Sequence, residues 1–475
     1  MSNIIGRKAE QAILKDCMSS NKSEFVVVYG RRRVGKTFLI KEFFDGKFNF
    51  AFAGTRNLSK QQQLANFAYT LKRYSKSEFA PTLKNWFEAF DHLAYLIEKS
   101  SSCEKKVIFI DEMPWIEARK SDFILALEHF WNGWANLRND IVFIACGSAT
   151  SWIVDKIFHN KGGLFNRATR HIYLRPFFLN EVEDYLRHEG FNWDRYQIAL
   201  CYMTLGGIPF YLTLLKKQLS LAQNIDALFF NGENSPLKVE YQELFPALFN
   251  NPEKYVDIVK KLTEHREGLT RNQLISMGHE SGAGLTKVLS DLERCDLIFS
   301  YSRYGNKSNN VIYRIKDFYT LFYYKFAEKV LTGKQQWVHL ANTQQVRSWQ
   351  GFSYELLCLL HLEQIKNALG LNVMLNSASS WRSTNRDKGA QIDLVIDRAD
   401  RVINLCEIKF SSNIFTIDKD YEKKLRERMA IFSEETKTRH TTVLTMITTF
   451  GLLENSHSSI VNSQVTLNDL YSSAQ

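Results

Sequence analysis

The stretch from Phe25 to Ile40, FVVVYGRRRVGKTFLI, constrains this chain more than any other. The apolar run 25–29 is what a strand covered on both faces needs, a pattern typical of parallel sheets flanked by helices. It runs into Gly30-Arg31-Arg32-Arg33-Val34-Gly35-Lys36-Thr37, after which FLIKEFF continues at helical spacing. Strand, glycine loop and helix in that order are the setting in which G-x-x-x-x-G-K-[ST] cradles phosphate. The glycines let successive backbone N–H groups turn inward at a helix N-terminus. The residues from Gly30 to Thr37 are therefore the expected nucleotide-binding loop of an α/β domain. Lys36 is expected on the β- and γ-phosphates and the Thr37 hydroxyl on Mg2+.

The partner element follows about seventy residues on, a spacing typical of a strand returning to the same sheet. VIFIDEMPW (107–115) is a buried-strand run ending in Asp111 and Glu112. Acids at the carboxyl end of such a strand stand where open α/β sheets place ligands. Asp111 is expected to hold Mg2+ and Glu112 to orient or deprotonate the attacking water. IVFIACGSAT (141–150) reads as the neighbouring strand, delivering Ser148 to the γ-phosphate position. Arg167 and Arg170 in GGLFNRATRHIYLRPF (162–177) are candidates for an arginine finger, in cis or from a neighbouring subunit. NEVEDYLRHEG (180–190) reads as a helix with Asn180 at its N-cap and Glu183 at N3, opening a helical lid. Backbone amides grip the phosphates, so the side chains of Arg31, Arg32 and Arg33 are expected to point outward. There they form a solvated or interdomain positive face, or sense acidic groups or a nucleic-acid backbone docking on the domain.

A chain of 475 residues is too long for one core. No apolar run approaches a membrane span, and the N-terminus lacks a signal-peptide pattern. Seven scattered cysteines, none in a CxxC pair, suit reduced core thiols and a cytoplasmic protein without membrane attachment. A net charge of +10 with pI near 9.0 favours a polyanionic partner, DNA more than RNA. Residues 252–316 offer three short helices and then two alternating strands around GNKSNN, the order of a winged helix. Thr286 and Lys287 are expected to face outward on the second helix of its helix pair, and Arg303 and Lys307 to lie on the wing. The same module used only for packing between domains accounts for that pattern equally well.

Beyond a polar stretch at 331–350, a helix carries Glu355. GAQIDLVIDR (389–398) and VINLCEIKFS (402–411) then alternate as strands. Period two sets Gln391, Asp393, Val395 and Asp397 on one face of the first strand, and Ile403, Leu405, Glu407 and Lys409 on a common face of the second. Asp393 and Glu407 together are able to hold Mg2+, with Glu355 completing the shell and Lys409 beside an activated water. That set suits attack on a phosphodiester.

IIGRKAE (4–10), YGRRRVGKTFLI (29–40), FIDEMPW (109–115), FNRATRHIYLRPF (165–177) and LGGIPFYL (205–212) resemble the archaeal-type AAA+/STAND-related P-loop ATPases over roughly residues 1–215. The resemblance implies an AAA+-like core with a helical lid, ATP as nucleotide and Mg2+ as metal. It supports Lys36, Thr37, Asp111, Glu112, Ser148 and Arg167 in the roles above, and puts Gly6 and Arg7 near base or ribose. Residues 351–475 resemble the restriction-endonuclease-like PD-(D/E)XK fold, with Ile392 standing where the pattern has proline. The expected organisation is an α/β P-loop core (1–178), lid (179–250), winged helix with an aromatic helix (251–330), linker (331–350) and nuclease-like domain (351–475). Two functions fit: an ATPase whose nucleotide state controls a nucleic-acid-directed nuclease-like domain, or a non-cleaving switch acting through its winged helix. Oligomeric state stays open, a homo-oligomer among the alternatives.

Overall fold

A computed structural model describes the whole chain apart from residues 1–3, 101–103, 118–120, 160–162, 165, 280, 306–310, 329–335, 384–388 and 474–475. The proposed wing residue Lys307 lies outside the described residues. Two compact units emerge, one of residues 1–176 with 246–250, the other of residues 177–245 with 251–475.

In the first unit the order is α1 (Lys8–Ser19), β1 (Glu24–Tyr29), α2 (Lys36–Phe43), β2 (Phe50–Ala53), α3 (Lys60–Ser75), α4 (Trp86–Glu98), β3 (Lys106–Asp111), α5 (Phe123–Gly133), β4 (Ile141–Gly147) and β5 (Arg170–Tyr173). The strands form one sheet ordered β2-β3-β4-β1-β5, every neighbouring pair parallel. Near-continuous apolar strands need cover on both faces, and β3 and β4 are buried along their whole length. Phe25, Phe50, Phe67, Trp86, Phe90, Trp131 and Phe143 share one buried aromatic-rich cluster beside the sheet. The helix starts are written in sequence: Ser59 and Gln62 close a capping box on α3, and the Asn85 side chain accepts from Glu88 N at 2.9 Å to open α4.

In the second unit the helix Leu179–His188 starts earlier than the sequence suggests. Phe178 N donates to Glu181 Oε2 at 2.9 Å, so Glu181 rather than Glu183 closes the first turn, and Asn180 lies inside the helix instead of capping it. Glu183 is drawn instead into an ion pair with Arg187 at 2.7 Å and Arg195 at 3.0 Å. Helices Pro252–Glu264, Arg271–Ser276 and Ala283–Arg294 accompany a three-stranded sheet of β6 (Leu269–Thr270), β7 (Ile298–Ser302) and β8 (Val311–Ile315), ordered β6-β8-β7 and antiparallel. Thr286 and Lys287 are exposed on the last of these helices.

After the helix Gln344–Leu360 comes a second five-stranded sheet: β9 (Asn376–Arg382), β10 (Gln391–Arg398), β11 (Val402–Lys409), β12 (Thr441–Thr448) and β13 (Ser463–Thr466), ordered β13-β12-β11-β10-β9. The β9–β10–β11 pairs are antiparallel and the β11–β12–β13 pairs parallel. The register of β9 on β10 shifts between Ile392 and Val395. That irregularity overturns the strict alternation expected for β10, because Val395 joins Ile392, Ile403 and Leu405 in one buried cluster instead of sharing a face with Asp393. A local shift of this kind re-aims a side chain.

One glycine shows how tightly the first unit is built at its functional edge. Gly30 has φ +142°, and a Cβ there would run into the Leu174 carbonyl. The substitution Gly30→Ala is expected to lower stability by roughly 2 kcal/mol or more, from backbone strain and steric overlap together. Thermal denaturation of wild type and variant side by side measures it.

Candidate functional site

The carboxyl ends of β1, β3 and β4 bring five expected residues together: Lys36, Thr37, Asp111, Glu112 and Ser148. The loop after β1 turns through positive φ at Gly30, Arg33 and Gly35 before α2 begins at Lys36. Lys36 is buried, and its ammonium donates to Gly30 O at 3.0 Å and Arg31 O at 2.9 Å. It is thereby held over the loop where a phosphate oxygen would replace those carbonyls. Thr37 Oγ1 donates to Asp111 Oδ2 at 2.7 Å, joining the first turn of α2 to the end of β3. Glu112 has φ +44°, an unusual backbone state for a glutamate, and its carboxylate accepts from Ser148 Oγ at 2.9 Å and Ser148 N at 3.3 Å. Gly54, donating to Asp111 O at 2.9 Å, permits this tight passage, since a Cβ there would meet the Glu112 carbonyl at 2.6 Å. Arg7 is buried with φ +54° and reaches Val34 O at 3.4 Å, which sets the N-terminal segment against the loop.

Electrostatics separate the two acids. Burial pushes the Glu112 carboxyl up from its ordinary value, and Asp111 adds to that, while Lys36 and the Ser148 hydrogen bonds oppose it. A carboxylate raised in this way is a better proton acceptor near neutrality. The Thr37 hydroxyl and the Asp111 carboxylate are adjacent hard oxygens, a donor set that suits Mg2+.

Two expectations about arginines are corrected. Arg31 does not point outward: it is 1% exposed, among the largest fully buried side chains, while Arg32 and Arg33 are half-buried. An inward guanidinium here belongs to the build of the loop rather than to a solvated face. Arg167 and Arg170 do not reach the loop within this chain. Thr169 N donates to Phe25 O at 2.8 Å, which fixes both arginines beside the start of β1, at the opposite end of the strand. Arg170 leans toward Glu24 at 3.8 Å, and exposed Arg167 donates to Gly163 O at 3.3 Å.

The second set of expected residues lies in the other unit. Asp393 Oδ2 accepts from Ile408 N at 3.1 Å, so it faces the Glu-x-Lys strand. Its carboxyl is pushed up to about 7, first by burial and then by the neighbouring Glu407 and Glu355. Burial alone would raise Glu407 as well, but Lys409 at 2.8 Å and Arg428 at 2.8 Å outweigh it and hold this carboxyl down, aided by the Tyr421 hydroxyl at 2.8 Å. Glu355 is occupied by cations too: Arg266 Nη2 at 2.7 Å and Arg314 Nη1 at 2.9 Å. Among the described residues no three His, Cys, Asp or Glu side chains are gathered so as to hold a metal ion. Of the expected Glu355–Asp393–Glu407 set, Glu355 and Glu407 are thus turned to arginine or lysine side chains, while Asp393 accepts from the Ile408 amide.

Tyr421, Arg428, Arg266 and Arg314 were not among the sequence candidates. A signal for each of the first two existed. Tyr421, Leu425, Arg428 and Phe432 recur at three- and four-residue spacing along the helix Lys419–Thr436, which places one arginine within a stripe whose Leu425 and Phe432 are buried. Arg314 likewise shares the inward face of β8 with Ile312.

A parallel sheet with its glycine loop at the β1 edge, a threonine–aspartate contact behind it and a glutamate beside it define a P-loop ATPase domain. Residues 5–215 match the family described as an ATPase domain predominantly from Archaea. Over 437 residues the chain is 23% identical to an uncharacterised protein of Methanocaldococcus jannaschii, spanning 89% of this chain and 90% of that one. A 43-residue stretch, 9% of this chain, is 46% identical to 73% of an uncharacterised ATP-binding protein of the same organism. Among solved structures, the Walker-type ATPase of Pyrococcus abyssi aligns with TM-score 0.49 and 17% identity over 68% of this chain and 97% of that one. The Aeropyrum pernix ORC2 protein, solved with ADPNP and ADP, aligns with TM-score 0.42 and 15% identity over 68% and 95%. No helix among the described residues is long and apolar enough to cross a membrane.

Because the Ser148 hydrogen bonds favour the charged form of Glu112, removing the hydroxyl raises the carboxyl further. In Ser148→Ala the acidic limb of the ATPase pH profile is expected to move to higher pH. A rate–pH series on both proteins tests this, and an unmoved limb would detach Glu112 from the reaction.

Proposed function

We propose that this chain is a magnesium-dependent ATP hydrolase whose nucleotide state governs a nucleic-acid-directed second unit. In this reading residues 251–330 act as a winged helix and residues 351–475 as a restriction-endonuclease-like domain, with DNA preferred over RNA. The observation that carries the ATPase part is the pairing of Thr37 with Asp111 and of Glu112 with Ser148 at one sheet edge. Loop amides and Lys36 take up the triphosphate, Thr37 and Asp111 would hold Mg2+, and Glu112, oriented by Ser148, accepts a proton from the water that attacks the γ-phosphorus as its bond to the β–γ bridging oxygen breaks and ADP leaves. When bound, the metal supplies charge neutralisation to the β- and γ-oxygens. An arginine finger, if Arg167 provides one, comes from a neighbouring subunit, because within its own chain it stands at the far end of β1.

For the second unit one observation favours the non-cleaving alternative. Every carboxylate of the cluster is either cation-paired or, like Asp393, raised toward neutrality. A switch that binds nucleic acid or a protein through its winged helix, without cutting, needs nothing more than this arrangement.

Lys36→Ala is expected to lower ATP turnover by at least about 100-fold, as loss of a group aimed at developing phosphoryl charge does. Turnover that survives the substitution removes the P-loop assignment. Plasmid, single-stranded DNA and RNA incubated with wild type and Lys409→Ala, with Mg2+ or Mn2+ and with or without ATP, separate the two readings. Cleavage lost in the variant supports a nuclease, whereas intact substrate in every lane supports the switch.

A further inference from the structure

Buried arginines are ordinarily fully satisfied, because five donors removed from water cost far more than one ion pair returns. Arg314 is an exception. It is 3% exposed, its Nη1 pairs with Glu355, and its guanidinium lies 4.9 Å from the centroid of the Phe352 ring. Its Nε and Nη2 are buried without a hydrogen-bond partner. Arg314 also lines a narrow cleft together with Arg266, Arg303 and Arg382 and the acids Glu267, Glu355 and Asp393. Arg382 is balanced by an ion pair with Glu267, and Glu355 is shared by Arg266 and Arg314, so among the described residues four arginines line the cleft against three carboxylates. The wall is composite: Arg266, Arg303 and Arg314 come from the three-stranded module, Glu355 and Asp393 from the C-terminal region. β7 meets β9 through the bridge Arg303–Ser380, so the two modules are joined where the cleft opens.

We propose that this cleft is a composite phosphate-binding site, in which Arg314, Arg266 and Arg303 of the three-stranded module grip a backbone phosphate of a nucleic-acid strand. The inference rests on the nucleic-acid reading above and assigns it a place and residues. A phosphate fits the unmet need, since its oxygens accept several charge-assisted hydrogen bonds from a guanidinium fork, and Nε with Nη2 is the pair of donors that binds an oxyanion side-on. The exposed guanidinium of Arg266, 57% accessible, is free to swing from Glu355 to the incoming phosphate while Arg314 retains the carboxylate. Arg314 thus both positions Glu355 and binds ligand.

The test uses the full chain in EDTA, so that binding is read without hydrolysis, and fluorescence anisotropy with labelled single-stranded and duplex oligonucleotides at several salt concentrations. Arg266→Gln and Arg303→Gln stand on accessible positions. Arg314→Lys keeps the buried charge but loses the fork, and thermal melting shows whether each variant is folded. Each glutamine substitution is expected to weaken binding about 10-fold at low salt and to make the salt dependence shallower by about one phosphate contact. Arg314→Lys, if folded, is expected to lose affinity in the same direction. Wild-type affinity in all the folded variants overturns the cleft while leaving nucleic-acid binding intact. Absence of binding by wild type removes the nucleic-acid reading itself, and a titration with inorganic phosphate then decides the site. A melting temperature raised by phosphate in wild type and not in Arg314→Lys assigns the cleft to free phosphate, and an unchanged melting temperature overturns it.

Discussion

The hydrogen bond from Thr37 to Asp111 is the contact on which the first unit depends. It ties the start of α2 to the end of β3, although β4 lies between β1 and β3 in the sheet. A contact spanning one intervening strand forms only if β1, β4 and β3 are parallel and their carboxyl ends are level. The register pairs meet that condition, with Tyr29 opposite Gly147 and Ile110 opposite Ala145. The fold therefore builds the site by alignment of strand ends. The loop, the pair of acids and Ser148 arrive together from three stretches that are far apart in sequence.

This alignment also explains why so much of the first unit was legible in the amino-acid order. A strand buried on both faces advertises itself as an apolar run, a phosphate loop requires glycines at fixed offsets, and acids at a strand exit have no packing reason to be there. What escaped was the direction of side chains whose backbone position was clear. Arg31 sits in the expected loop yet turns inward, since amide geometry leaves the side chain to local packing. Arg167 and Arg170 were expected as arginine-finger candidates in the stretch that follows β4, and they stand immediately before and at the start of β5. In a parallel sheet, the residues before a strand lie at the end opposite the loops that follow strands, and that rule displaces both.

In the second unit legibility was lower for a different reason. Alternation along β10 predicted which residues share a face, and a single register shift between Ile392 and Val395 changed the answer. Sequence periodicity carries no mark of such a shift unless a glycine or proline accompanies it, and neither is present between those residues. The cationic partners of the acids were equally hidden. Arg266 and Arg314 precede Glu355 by 89 and 41 residues, and only the packing of the three-stranded module against the C-terminal region brings them to it.

Those partners bear on what a residue pattern can establish. A carboxylate buried in the company of two arginines is held in place by electrostatics alone, because removing Glu355 would leave Arg266 and Arg314 repelling each other in a poorly hydrated cleft. The same holds for Glu407 between Lys409 and Arg428. Acid, lysine and aspartate at nuclease-like spacing are thus maintained by two independent demands, metal chemistry in one case and charge balance in the other. The spacing satisfies both, and geometry distinguishes them. A metal centre leaves carboxylate oxygens turned toward one point, while here Glu355 and Glu407 are each turned toward their own pair of cations. Asp393, which has no arginine or lysine within ion-pair distance among the described contacts, has its carboxyl pushed up by burial and by the neighbouring Glu407 and Glu355.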